Sequence, residues 1–179
     1  TLYSSGFVDL SKEPYILSMP EMGERYYLIQ MLSAWTDVFA SPGTRTEGGK
    51  AQNYALVGPF WKGTLPENVK EIKSPTNLIW LVGRTATTGT DADYAEVHKL
   101  QKQYKLVPLS AWGTNYEPPK ESPVDANIDI KKSPVEKVNE MDAQTYYSLL
   151  AKLMKDNPPT PEDKPMVEKI RDKIEYVFD

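Results

Sequence analysis

The sequence predicts a mainly β protein: a β-sandwich with one inserted helix over residues 1–129, followed by a small all-α segment over 130–179. Three observations carry this reading. Up to about Trp112, short runs rich in Tyr, Val, Ile and Leu are separated by Gly/Pro turns. Within that half, the apolar spacing turns helical between Asp91 and Tyr104. Beyond the proline-punctuated TNYEPPKESP, which reads as a linker, helix-start signals take over.

Taken in order, Thr1 to Leu10 and Pro14 to Ser18 read as strands joined by an SKEP turn. Arg25 to Trp35 is a longer run. Neither of its alternating sets, Tyr26/Leu28/Gln30/Leu32/Ala34 or Arg25/Tyr27/Ile29/Met31/Ser33/Trp35, is mainly polar. Such a run predicts a strand in the middle of a sheet, buried on both faces. It breaks into Trp-Thr-Asp and then SPGTR, which predicts that the strand leaves the sheet there and re-aims Asp37 and Arg45. Asn53 to Val57 is the next strand, and GPFWKGTLP reads as turn residues with exposed aromatics. Thr76 to Arg84 alternates Leu78, Trp80, Val82 and Arg84 against Asn77, Ile79, Leu81 and Gly83.

Asp91 stands in a cap position before a helical stripe of Tyr94, Val97, Gln101 and Tyr104, and KLVPLSAW is extended again. In the second part, Ser133-Pro134-Val135-Glu136 combines a serine cap, a proline at the first helical position and a glutamate at the third. Asp142 opens a second helix with Tyr146, Leu149, Leu150 and Leu153 in a stripe. NPPTPEDKP stops it, and Met166 to Ile174 forms a third. A segment of this size is too short to build its own core, so it is expected to pack on the sandwich or on a further domain.

Composition narrows the function classes. The net charge of −4 offers no basic field for a phosphate backbone, so nucleic acid is not an expected partner. No apolar run reaches the roughly 18 residues of a membrane span. The absence of cysteine removes disulfides, thiolate nucleophiles and cysteine zinc sites. A chain that opens on Thr1 reads as a processed or excised piece.

His98, the single histidine, reads as a helix-surface residue rather than a catalytic base, and no GxSxG is present. Asp91 and Asp93 lack the spaced ligand series of a calcium loop, so they read as helix-start residues and no metal is assigned. Neither GxGxxG nor GxxxxGK[ST] occurs, and no cofactor is expected. The candidate ligand-binding set is Trp35, Asp37, Arg45, Trp80 and Arg84, with Trp61 and Lys62 in a loop. Trp supplies flat apolar faces with one polar handle, and Arg beside Asp can fix a carboxylate, a phosphate or a sugar hydroxyl. The competing structural reading pairs Asp37 with Arg45 to pin the loop and puts the tryptophans in the core.

The run DLSKEPYILSMPEMGERYYLIQMLSAWTDVFASPGTRT, with the later GPFWKGTLP, SPTNLIWLVGRT and SPVEKVNEMDAQTYYSLLAKLMKDNPPTPEDKPMV, resembles a bacterial family catalogued as domain of unknown function twelve-fifty-four. The resemblance implies an immunoglobulin-like β-sandwich followed by a small helical segment. It also implies a downstream partner domain, catalogued as twelve-fourteen, and a periplasmic or secreted setting. The family's recurring positions correspond to Tyr15, Arg25, Trp35, Asp37, Arg45, Trp61, Lys62, Trp80 and Arg84. No reaction comes with the name.

Two function classes follow. One is a ligand-binding or assembly module of a larger exported protein, offering its aromatic and arginine side chains to a small-molecule or sugar ligand, or to the downstream domain. The other is an enzyme, a carboxylate- or metal-dependent hydrolase with a site at the sandwich end or shared with the downstream domain, in which Asp37 or another carboxylate is the general base and Arg45 or Arg84 steadies an anion. A homo-oligomer, in which a neighbouring copy covers part of the long apolar strand, is a third expectation.

Overall fold

A computed structural model describes residues 1–120 and 128–171. The chain divides into two compact units, Thr1–Tyr116 and Glu117–Asp179, so the division falls at the start of the proline-punctuated stretch.

The first unit holds eight strands: β1 (Leu2–Asp9), β2 (Tyr15–Met19), β3 (Tyr27–Ser33), β4 (Val38–Ala40), β5 (Gln52–Val57), β6 (Lys70–Lys73), β7 (Leu78–Thr85) and β8 (Lys105–Pro108). They form two four-stranded sheets, in the orders β1-β7-β3-β4 and β6-β5-β2-β8. The first sheet is antiparallel throughout; in the second, β5 and β6 run parallel. One core is shared by both sheets. Val8, Tyr27, Ile29, Met31, Ile79 and Leu81 enter it from the first, and Leu17, Met19, Tyr54 and Leu56 from the second.

β3 lies inside its sheet, between β7 and β4, but it is buried on one face only. Tyr27, Ile29, Met31 and Ser33 point into the core, while Leu28, Gln30 and Leu32 stay half-exposed. The strand run buried on both sides is the end of β5, Tyr54 to Val57. Its inward residues meet the first sheet. Its outward residues Ala55 and Val57, with Ile16 of β2, lie under a second apolar layer of Trp61, Leu65, Val69, Leu109 and Trp112. Parallel neighbours need a crossover, and here residues 58–69 provide it without a helix. The GPFWKGTLP segment is therefore a lid on the outer face of the second sheet. Trp61 packs inward, and Phe60 alone of its aromatics is strongly exposed.

The break after β3 is a hairpin. The Ser33 N–H donates to the Asp37 carbonyl at 2.9 Å, Thr36 adopts φ 66°, and Leu32 then pairs with Val38 of β4. Buried Thr76 pins the turn: its hydroxyl accepts from the Ala34 N–H at 2.9 Å and donates to the Leu78 carbonyl at 2.8 Å. A short helix, α1 (Thr44–Glu47), follows β4, and Gly43 bridges back to Leu28 at the start of β3.

Helix α2 (Asp91–Gln101) is capped by Thr90, whose hydroxyl accepts from the Asp93 N–H; Asp91 is the first helical residue rather than the cap. Its Val97 is buried, and Leu100 with the following Tyr104 packs on the shared core.

In the second unit, α3 (Pro134–Asn139) starts on the Ser133–Glu136 capping box, and α4 (Ala143–Asp156) on Asp142, whose carboxylate accepts from the Thr145 N–H at 2.7 Å. The third helix, α5 (Lys164–Arg171), starts two residues before Met166; the rest of the run to Ile174 lies outside the described residues. Neither α3 nor α4 has a buried residue.

Candidate functional site

Because side chains alternate along a strand, the set of β3 that avoids the core joins matching sets on its neighbours. Ladder register sets them in rows across the outer face of the first sheet. Tyr3, Arg84 and Leu28 form one row; Ser5, Val82 and Gln30 the next; Phe7, Trp80, Leu32 and Val38 the third. This face is apolar and open, with Tyr3 62% and Phe7 70% exposed.

The aromatic groups on it are held in place. Trp80 donates its Nε1–H to Ser5 Oγ at 2.9 Å, and its ring stacks on Phe7 with centroids 5.7 Å apart and planes at 15°. The Arg84 guanidinium lies over the Tyr3 ring at 5.6 Å, and its buried Nε has no hydrogen-bond partner. Arg45, on α1, lies over the Tyr26 ring at 5.9 Å. Cation–π contacts of this kind contribute about 0.5–1 kcal/mol where exposed, and they tie each guanidinium to a neighbouring ring. Among the described residues no ion pair involves Asp37, Arg45 or Arg84, so the expected Asp37–Arg45 pair is not formed.

The five sequence candidates do not form one cluster. Arg84 and Arg45 share the end of the sheet where β3 begins, since Leu28 pairs with Arg84 on one side and bridges Gly43 on the other. Trp80 sits further along, in the row of Leu32. Trp35 and Asp37 occupy the hairpin beyond Ser33. Five strand residues, roughly 17 Å, separate the Arg84 row from Ser33. The reason is the hairpin: β4 runs back along β3 and returns the chain to the strand's start before Arg45. An exposed Asp37 and an Arg84 at the far end cannot act on the same atom, so the geometry does not support that catalytic pair.

Two features were missed in the sequence. The outer face could have been found, because LYSSGFVD places Tyr3 and Phe7 on the alternation opposite Val8. The second feature is a polar joint between the segment just before β3, the loop after β7, and α2. Arg25 donates to both oxygens of Asp93, at 2.6 and 3.2 Å, and to the Ala86 carbonyl at 2.8 Å, while the Thr88 N–H donates to Asp93 at 2.7 Å. The Arg25 hydrogen bonds, and then that of Thr88, hold the Asp93 carboxyl well below the usual carboxylate range. Nothing in the local sequence signals a contact between positions so far apart.

His98 is exposed and faces Gln101, its Nδ1 3.0 Å from Oε1. Among the described residues no group of three or more His, Asp or Glu side chains is arranged to hold a metal ion, and no helix is long and apolar enough to cross a membrane.

The sequence pattern of a family described as Protein of unknown function (DUF1254) matches residues 1–108, from the first strand to the end of β8. The chain belongs to the DUF1254 family. A solved relative of this DUF1254 protein is the VPA0106 protein from Vibrio parahaemolyticus, a crystal structure with 25% sequence identity and a TM-score of 0.73. The match covers 96% of this chain and 40% of that one, so the DUF1254 chain spans about two fifths of that relative's length. No curated protein matches the chain.

Proposed function

We propose that this DUF1254 chain is an assembly module: the outer face of its first sheet docks a further folded domain of a longer protein. One observation carries this reading, the ordered aromatic face of Tyr3, Phe7, Trp80 and Leu32 left open to solvent. Contiguous apolar patches on soluble proteins commonly mark interaction surfaces, and prearranged rings lose little entropy on docking. The solved relative supports a domain as occupant, since more than half of its length lies beyond the matched part. The helices of the second unit fit the same reading, as α3 and α4 bury no residue. An immunoglobulin-like body is supported by two four-stranded sheets around one core; the parallel β5–β6 pair departs from that pattern.

The test is Phe7→Asp, made both in the 179-residue chain and in the full-length product of its gene. The short chain should keep its melting temperature, because Phe7 is already solvated. The long protein should lose several degrees. Equal effects in both would sink the proposal, and so would a short chain that dimerises through this face, as sedimentation would reveal.

A further inference from the structure

The second sheet ends on β8, and the chain beyond it turns back. Leu109–Ala111 makes a single 3-10 turn, and Gly113 takes φ 81°. Between the rim of β8 and residues 112–116 lies an open cleft of about 580 Å³. That is within the usual range for small-molecule sites, about 300–1,000 Å³.

Its lining has a distinct chemistry. Trp112 is anchored because its ring packs on the outer apolar layer of Ile16, Ala55 and Val57, and Tyr116 adds a second ring. Ser18, Gln103 and Asn115 bring a hydroxyl and two amides, groups that both donate and accept. Lys105 supplies the one charge: no Asp or Glu lines the cleft, and among the described residues Lys105 is in no ion pair. Flat rings suit the C–H face of a sugar, amides and hydroxyls suit its OH groups, and an unneutralised ammonium suits a carboxylate.

We propose that this cleft binds a hydroxylated carboxylate of one or two rings, the size and chemistry of a sugar acid. It lies on the second sheet, away from the docking face, and stands or falls independently of it.

The experiment titrates the 179-residue chain with lactobionate, its neutral carboxamide lactobionamide, and acetate, following backbone amides by NMR. Lactobionate should shift Ser18, Lys105, Gly113 and Asn115 saturably, lactobionamide should bind at least about tenfold more weakly, and acetate should not saturate. Lys105→Gln, an exposed substitution that leaves the core intact, should weaken lactobionate by at least about tenfold. The proposal is overturned if lactobionate gives no saturable shift, or if Lys105→Gln leaves its affinity unchanged. Shifts on Tyr3, Trp80 and Arg84 in place of the cleft would overturn it as well.

Discussion

Replacing Tyr54 with phenylalanine should make the first unit more stable. Tyr54 of β5 and Tyr27 of β3 enter the shared core from opposite sheets and both are fully buried; their hydroxyls face each other without reaching hydrogen-bond geometry, and neither has another partner. Burial drives both hydroxyls above the usual tyrosine range, Tyr54 the further. An unsatisfied buried hydroxyl costs about 1–3 kcal/mol. Deleting the oxygen keeps the ring and gives up only the dispersion contacts of one atom, a few tenths of a kcal/mol. The expected net gain is therefore about 1 kcal/mol for Tyr54→Phe, or about 3–6 °C in melting temperature for a body of this size. Tyr27→Phe should behave alike, and because the two hydroxyls are neighbours the double variant should gain slightly more than the sum of the single ones. Urea unfolding followed by tryptophan fluorescence reads this directly, because all four tryptophans, Trp35, Trp61, Trp80 and Trp112, lie in Thr1–Tyr116. A loss of stability in each single variant, recovered in the double, would mean that the hydroxyls bond to each other, and the reasoning would be refuted.

Four further outcomes follow from the same geometry. Tyr27, Tyr54 and Tyr104 have raised pKa values, burial being the largest cause in each, so their stabilising contribution is complete below about pH 10 and declines as pH rises beyond it; their tyrosinate absorbance should appear together with alkaline unfolding. Asp93 has a depressed pKa, so its contribution is present above about pH 4 and fades as pH falls below that; Asp93→Asn should flatten the acid limb of the stability curve. Ile16→Ala should cost about 2–5 kcal/mol in denaturant unfolding, because Ile16 is enclosed beneath the Trp61 and Trp112 layer, whereas exposed Phe7→Ser should change stability by less than about 0.5 kcal/mol. Gly49→Ala should destabilise by at least about 1–3 kcal/mol, since its Cβ would collide with the Gly23 backbone carbonyl, and no side chain there can move aside.

Local rules carried much of the architecture into view before any coordinates. β-prone runs between Gly/Pro turns located β1, β2, β3, β5 and β7, and cap chemistry located the starts at Ser133 and Asp142. β4 and β6 escaped because three- and four-residue strands at sheet edges carry too few alternations to stand out. The two-sided apolar character of residues 25–35 was a correct signal placed on the wrong burial: the second face of β3 is half-exposed to solvent, and the doubly covered strand is β5.

The candidate set shows the same division. Residue chemistry pointed to Trp80 and Arg84, which do share the outer face, and to Arg45, whose guanidinium lies over the Tyr26 ring at the Arg84 end. It could not foresee that a hairpin would carry Arg45 back along β3, or that Arg25 would meet Asp93. Strand periods and helix caps are set by neighbours a few residues away, and the sequence by itself determined those. Which face of a strand is covered, and which distant charges meet, depends on how the sheets and loops close over one another, and only the tertiary structure decided it.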